Sequence, residues 1–284
     1  MKCFPKKFKK EIVAALLIAA VVSISTSQAS ITLGTAQSFA VLGSSTVTNT
    51  GSSTIYGSVG VNPGSAIAGF PPGTVTGGSI YGTGGVSAQA QADALTAYNT
   101  IAGLSYDYDY TGVDLGGLTL TPGVYFFSTS AQLTGTLTLD FQGNANANFI
   151  FQIGSTLTTA SSSTVNVING DALSGIYWQV GSSATIGTST MFVGNILADQ
   201  SITLNTTADI LCGRAIALNG AVTMDTNRIS NNNSAQDYGS GRSDFGSYGF
   251  SGGDGTTVVP TPSAFLLLGS GLSSLLFYGK RLFS

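Results

Sequence analysis

Segments in which apolar and hydroxyl residues alternate recur along the middle of the chain, and their spacing constrains the fold more than any other feature. The central hydroxyls of these segments, Thr138, Thr158, Thr185, Thr203 and Thr223, are separated by 20, 27, 18 and 20 residues. Alternation with period two marks a half-buried strand. Recurrence near twenty residues marks the coils of a solenoid, with an extra excursion in the 27-residue coil. The stretches 133–140 (LTGTLTLD) and 218–225 (LNGAVTMD) match nearly residue for residue. One coil cannot bury its inward side chains alone, so coils stack. Stacking predicts an internal ladder of Leu137, Leu157, Ala184, Ile202 and Val222. It also predicts an outward rank of the five threonines at the strand spacing of about 4.7–4.9 Å. Three residues further on, Ser161, Thr188, Thr206 and Thr226 form a second set.

The fold class read from this pattern is mostly β, with one long helix. Residues 87–104 are Ala-rich, start at Ser87 as an N-cap and end near Gly103. Leu95, Tyr98 and Ile101, with Ala94 and Ala102, fall on one face, which predicts a helix covering a hydrophobic flank.

Composition narrows the chemistry. Charged residues make up 8% of the chain and histidine is absent, which excludes His-based triads, bases and metal ligands. Glu is missing from the core, and Asp107, Asp109 and Asp114 have no basic residue near them in sequence. This inventory argues against an enzyme. No Cys/His cluster, P-loop or dinucleotide fingerprint indicates a cofactor. Residues 30–257 hold three bases, Arg214, Arg228 and Arg242, against twelve Asp. The resulting charge of −9 argues against nucleic acid as a partner. Cys212 is the lone cysteine beyond the N-terminal segment and is expected to be buried beside Ile210 and Leu211.

The ends read as targeting segments. Lys2, Lys6, Lys7, Lys9 and Lys10 precede an apolar run over 12–22 and small residues ending at Ala29, the three-part pattern of a secretory signal peptide over 1–29. Residues 230–257 are rich in Asn, Ser and Gly and read as a flexible linker. Val259-Pro260-Thr261-Pro262-Ser263, an apolar stretch over 264–278 and Lys280-Arg281 follow. This tail, 258–284, resembles a PEP-CTERM sorting tail, with Thr261 where that family usually has Glu. The resemblance implies an exosortase-type transpeptidase as partner. It implies secretion or surface display by a Gram-negative bacterium, with transient anchoring in the membrane through the tail.

A flat rank of threonines with almost no charge suits one surface in particular. Its methyls restrain water while its hydroxyls offer donors and acceptors at fixed places, so the rank can order water into an ice-like layer. The chain also carries a series of motifs across the core. They are 31–43 (ITLGTAQSFAVLG), 61–64 (VNPG), 69–75 (GFPPGTV), 115–125 (LGGLTLTPGVY), 149–155 (FIFQIGS), 177–182 (YWQVGS) and 192–198 (FVGNILA). In this order they resemble the microbial ice-binding protein family over residues 30–229. The resemblance implies a right-handed discontinuous β-helix of roughly triangular cross-section. It also implies one long α-helix packed alongside, N-terminal segments that join the stack from its far end, and a monomer. It implies adsorption to ice crystals through a flat face bearing Thr-Ala/Gly-x-Thr/Asn-like segments, of which 159–162 (TASS) and 185–188 (TIGT) are the nearest matches. Candidate ice-binding residues are Thr138, Thr156, Thr158, Ser161, Thr185, Thr188, Thr203, Thr206, Thr223 and Thr226. An alternative is an adhesin or matrix protein with the same solenoid. Its best ligand candidate is 106–110 (YDYDY), where aromatic and acidic residues could meet a sugar or Ca²⁺.

Overall fold

A computed structural model describes residues 31–144, 146–170, 173–231 and 250. The signal-peptide and sorting-tail segments lie outside the described residues, as does the linker except for Ser230, Asn231 and Phe250. Among the described residues the strands pair in parallel throughout and form two sheets, one of seven strands and one of fifteen. A coil has three sides. In the coil that starts at Ala184–Ile186, this short strand lies in the seven-stranded sheet. The strand Met191–Ala198 then covers the other two sides, bending at Gly194. The bend needs glycine. Gly194 has φ 98°, and a Cβ there would lie 2.5 Å from the Ile176 side chain. The neighbouring strand Asp209–Ala217 takes the same corner with one extra residue, a β-bulge at Cys212, which is buried as expected.

The coils are not stacked in chain order. The first coil of the chain, Phe39 onward, pairs with the last one on all three sides, through Val41 with Ala215, Thr48 with Thr223 and Ile55 with Ile229. The strands Ser58–Val61, Ala66–Ala68 and Thr74–Thr76 complete that end. The helix α1, Gly85–Ala102, then carries the chain back to the opposite end. Gln91 near its start donates to the Ala217 carbonyl (3.2 Å), and its last turn is capped by Gln152, which donates to the carbonyls of Ile101 (2.7 Å) and Leu104 (2.9 Å). From Tyr108 on, coils add in sequence until the last one meets the N-terminal coil.

α1 covers the third side and buries Ser87, Ala90, Ala94, Ala97 and Ile101 against Val124, Ile150, Tyr177, Leu197 and Ile216. Two helix expectations are corrected. Gly84, not Ser87, is the N-cap, and the Ser87 hydroxyl donates to the Tyr81 carbonyl within the first turn. Leu95 and Ala102 face outward, Leu95 with 49% exposure. The buried stripe is one of small residues because the helix axis lies close to the sheet, and the bulk comes from the sheet's side chains.

A third correction concerns register. Leu137 and Thr138 are not in the predicted ladder and rank. Thr138 pairs with Asn166 and Thr119 on the second side. On the first side its place is taken by Gln132, which pairs with Thr158, while Ala131 pairs with Leu157 inside. The coil from Gln132 to Thr158 carries an excursion of its own, so its length does not match that of the short coils. Strands on the first and second sides alternate alike, so a local match such as 133–140 with 218–225 cannot tell them apart. The other four inward residues, Leu157, Ala184, Ile202 and Val222, do stack, and Val47 extends them.

An aromatic column runs along the third side: exposed Tyr108 covers Tyr125 (5.0 Å), and inside Tyr125 stacks on Phe151 (5.4 Å) and Phe151 on Trp178 (3.8 Å). Burial pushes the Tyr125 phenol up to about 12.

Candidate functional site

The seven-stranded sheet comprises Ala131–Leu133, Leu157–Thr159, Ala184–Ile186, Ile202–Leu204, Val222–Asp225, Thr46–Thr50 and Ala66–Ala68. Its pairings run without a register shift, unlike those at Gly194 and at Val41. The outward central row therefore reads Gln132, Thr158, Thr185, Thr203, Thr223, Thr48 and Ala68, with five threonines in unbroken sequence. Four of them are predicted. Thr48 escapes sequence reasoning because its coil joins the stack from the other end of the chain, although 45–48 (STVT) carries the same alternation.

Thr156 lies in a flanking row with Ser130, Ser183 and Ser201. Here the hydroxyls are turned along the stack. Thr156 donates to Ser130 Oγ (2.8 Å), the Ser201 N–H to Ser183 Oγ (3.3 Å) and the Ala221 N–H to Ser201 Oγ (3.2 Å). In the central row a hydroxyl contact joins Thr48 to Thr223 (3.4 Å). Thr159, the first residue of the 159–162 segment, points inward. It is buried, its hydroxyl meets that of Thr190 (3.0 Å), and it accepts the Gly187 N–H (2.8 Å). The two family-like segments are thus out of phase, Thr159 inside and Thr185 outside.

The second predicted set lies in the turn that leaves this sheet. A left-handed residue recurs there from coil to coil: Ser162, Ser189, Thr207, Thr226 and Gly51, with φ of 60°, 57°, 61°, 56° and 77°. Ser161, Thr188 and Thr206 precede it and are exposed. Thr226 is itself the left-handed residue, so it is out of line with them. Asp225 and Thr50 stand in the row instead, because the Ser189 N–H donates to the Thr206 carbonyl, Thr207 to Asp225 and Thr226 to Thr50. Asp225 is the one carboxylate at this edge of the sheet among the described residues. Hydroxyls of Thr206 and Thr226 donate to it, Thr206 most strongly, and hold its carboxyl below the usual carboxylate range. Asp209, by contrast, lies on the second side in an ion pair with Arg228 (2.7 Å).

The acidic and aromatic run 106–110 is spent on the end of the solenoid. Tyr108 and Tyr110 cover Tyr125, Asp107 accepts the Val124 N–H (2.8 Å) and Asp109 accepts the Thr111 N–H (2.9 Å). Asp114 accepts from Gly116 (2.8 Å) and Thr134 (2.9 Å).

These carboxyls set an acid limit. Asp109, Asp140 and Asp225 all lie below their ordinary 3.8, through Thr111, Asn169 and Thr206 respectively. Such a group binds its proton more readily when the chain is unfolded. Its contribution is complete above the unfolded value and is lost as pH falls through the folded one. Tm is therefore expected to stay level from about pH 7 to about pH 5 and to fall below about pH 4. Calorimetry across that range checks it, and a Tm that rises on acidification would contradict the assignment.

The architecture defines a class: a parallel β-solenoid whose N-terminal coils close onto its last coil, with a helix along one side and a threonine ladder on another. The Ice-binding-like family matches residues 41–230. An ice-binding protein of Nostoc sp. (strain HG1) is 56% identical over 252 residues, covering 88% of this chain and 87% of that relative. The crystal structure of an ice-binding protein from an Antarctic biological consortium superposes with a TM-score of 0.67 at 44% identity, covering 71% of this chain and 91% of that one. The DUF3494 domain of Shewanella frigidimarina ice-binding protein 1 does so with a TM-score of 0.65 at 31% identity, covering 71% and 97%. The chain belongs to the Ice-binding-like family.

Proposed function

We propose that this chain adsorbs to ice through the seven-stranded sheet and so inhibits ice growth and recrystallisation. The observation that carries the reading is the unbroken register of Thr158, Thr185, Thr203, Thr223 and Thr48. Each threonine offers a methyl and a hydroxyl at a spacing that the backbone ladder enforces. Many weak contacts must form with a rigid lattice at once, so regularity counts for more than the strength of any one contact. The other two sides suit the task less. The second carries the Asp209–Arg228 ion pair across its outer row, and α1 covers the third. The protein acts as a monomer, without catalysis. It is exported by its N-terminal segment, anchored transiently in the membrane through the tail at 258–284, which an exosortase-type transpeptidase handles, and is delivered to the surface or exterior of a Gram-negative cell.

The test is thermal hysteresis together with ice recrystallisation inhibition. A folded protein with no effect in either assay would end this reading.

Asp225 is the carboxylate in the row of the turn that leaves the sheet, and exposed Asp114, bridged to Gln132, is one at the end of the central row; both suit ice poorly, since a carboxylate holds its own hydration. Asp225→Asn keeps an acceptor for Thr206 and removes the charge. The expected result is a rise of about twofold in inhibition, a small change because an exposed charge is well screened by water. A fall in activity would mean that the carboxylate serves the face by fixing the two hydroxyls.

A further inference from the structure

We infer that Phe250 is a docking plug that fixes where the chain leaves the solenoid, on the corner opposite the threonine sheet. Phe250 belongs to the stretch whose composition reads as linker, yet it is 0% exposed and lies in the main core cluster. Its ring stacks on Phe141 at 6.0 Å and 6°. Its carbonyl accepts two hydrogen bonds, from the Ile176 N–H (2.9 Å) and from Asn195 Nδ2 (2.9 Å). All three partners lie where the second side turns into the third. Phe141 follows the strand Thr136–Asp140, Ile176 is the second residue of the strand Gly175–Val180, and Asn195 follows the bend at Gly194. In a three-sided coil this corner is the one opposite the seven-stranded sheet.

The docking is tied to the closure of the fold. Asn195 Oδ1 accepts from Arg214 (2.6 Å), and Arg214 reaches the carbonyls of Gln37 before the first strand and Asn231 after the last. One polar chain thus links Phe250, a middle coil and the two chain ends of the domain, which meet where the first coil pairs with the last. A buried N–H and a buried amide take Phe250's carbonyl as acceptor, and unpaired buried donors are costly. The plug is therefore part of the folded domain, which extends past residue 231. Resting on the ice reading above, its consequence is display: the chain beyond Phe250 starts from the back of the molecule and leaves the threonine sheet free while the tail is held elsewhere.

The full chain tests this with Phe250→Ala and Phe250→Leu. Phe250→Ala is expected to lower Tm by roughly 10 °C, the scale for losing a buried aromatic ring from a domain of this size. Exchange of the Ile176 amide should accelerate by at least about tenfold as the corner opens locally. Phe250→Leu, a swap that keeps most of the volume, should lower Tm by only a few degrees. Should Phe250→Ala fail to fold, the Ile176 amide of the unaltered chain still decides, since rapid exchange there would overturn the docking. Unchanged Tm and exchange in Phe250→Ala would overturn it as well. For display, a globular protein fused after Ser284 should leave ice-growth inhibition within about twofold of the unfused chain, since a bulky partner behind the sheet removes none of its contacts. Loss of inhibition in the fusion alone would overturn display while the ice reading stands. If the unfused chain were inactive, display would fall with the ice reading, and docking would stand or fall on the exchange result.

Discussion

Thr203→Tyr is expected to abolish most ice-growth inhibition while leaving the solenoid folded. Thr203 is the middle of the five threonines, with Thr158 and Thr185 on one side and Thr223 and Thr48 on the other. A tyrosine there stands several ångströms above its neighbours, so a flat lattice that touches the ring cannot reach the ranks about 4.7–4.9 Å away on either side. Losing even one or two contacts of about 1 kcal/mol reduces affinity about tenfold. The side chain points outward, so the melting temperature should not move. Thr138→Tyr is the informative control. The spacing of segments in the sequence puts Thr138 in the same rank, whereas the fold puts it on the second side beside Asn166. Thr138→Tyr should keep full thermal hysteresis. Loss of activity in Thr138→Tyr, or its survival in Thr203→Tyr, would move the ice-binding surface off the seven-stranded sheet.

The second large effect is on stability. Arg214 is 0% exposed. Its guanidinium donates twice to the Gln37 carbonyl (3.0 and 2.6 Å), to Asn195 Oδ1 (2.6 Å) and to the Asn231 carbonyl (3.4 Å). The planar fork holds together segments from the start, the middle and the end of the domain, which no local contact could join. Arg214→Ala removes these four hydrogen bonds, including the charged donor to the buried Asn195 Oδ1, at a cost of about 3–5 kcal/mol. For a domain of this size that is a fall in Tm of roughly 10 °C. Arg214→Lys retains the charge but not the fork, and it should recover less than half of the loss. Differential scanning calorimetry separates these outcomes, and an Arg214→Ala protein with wild-type Tm would show that the closure is held by strand pairing alone.

Several features of this protein were legible one residue at a time. Period-two alternation located Leu157–Thr159, Ala184–Ile186, Ile202–Leu204 and Val222–Asp225, with their inward and outward residues correctly sorted, because strand alternation is a local property of the backbone. The helix was visible for the same reason, as an Ala-rich stretch among β-branched residues. Its buried face was not, because which face of α1 is covered depends on how closely the sheet approaches, and Ala90 and Ala97 rather than Leu95 meet it.

What only the tertiary structure decided is the order and phase of the coils. The sequence by itself determined that there are coils, that they stack and that their outward positions are hydroxyls with few charges. It could not determine that Gln132 replaces Thr138 in the rank, since excursions of different lengths break the period. Nor could it show that Thr48, far from Thr223 in the chain, is its neighbour in the sheet, or that Phe250 lies in the core. Each of these rests on a contact between segments remote in sequence. Such contacts are selected by the burial of whole sides of the solenoid at once, a global condition of which no short segment carries a record.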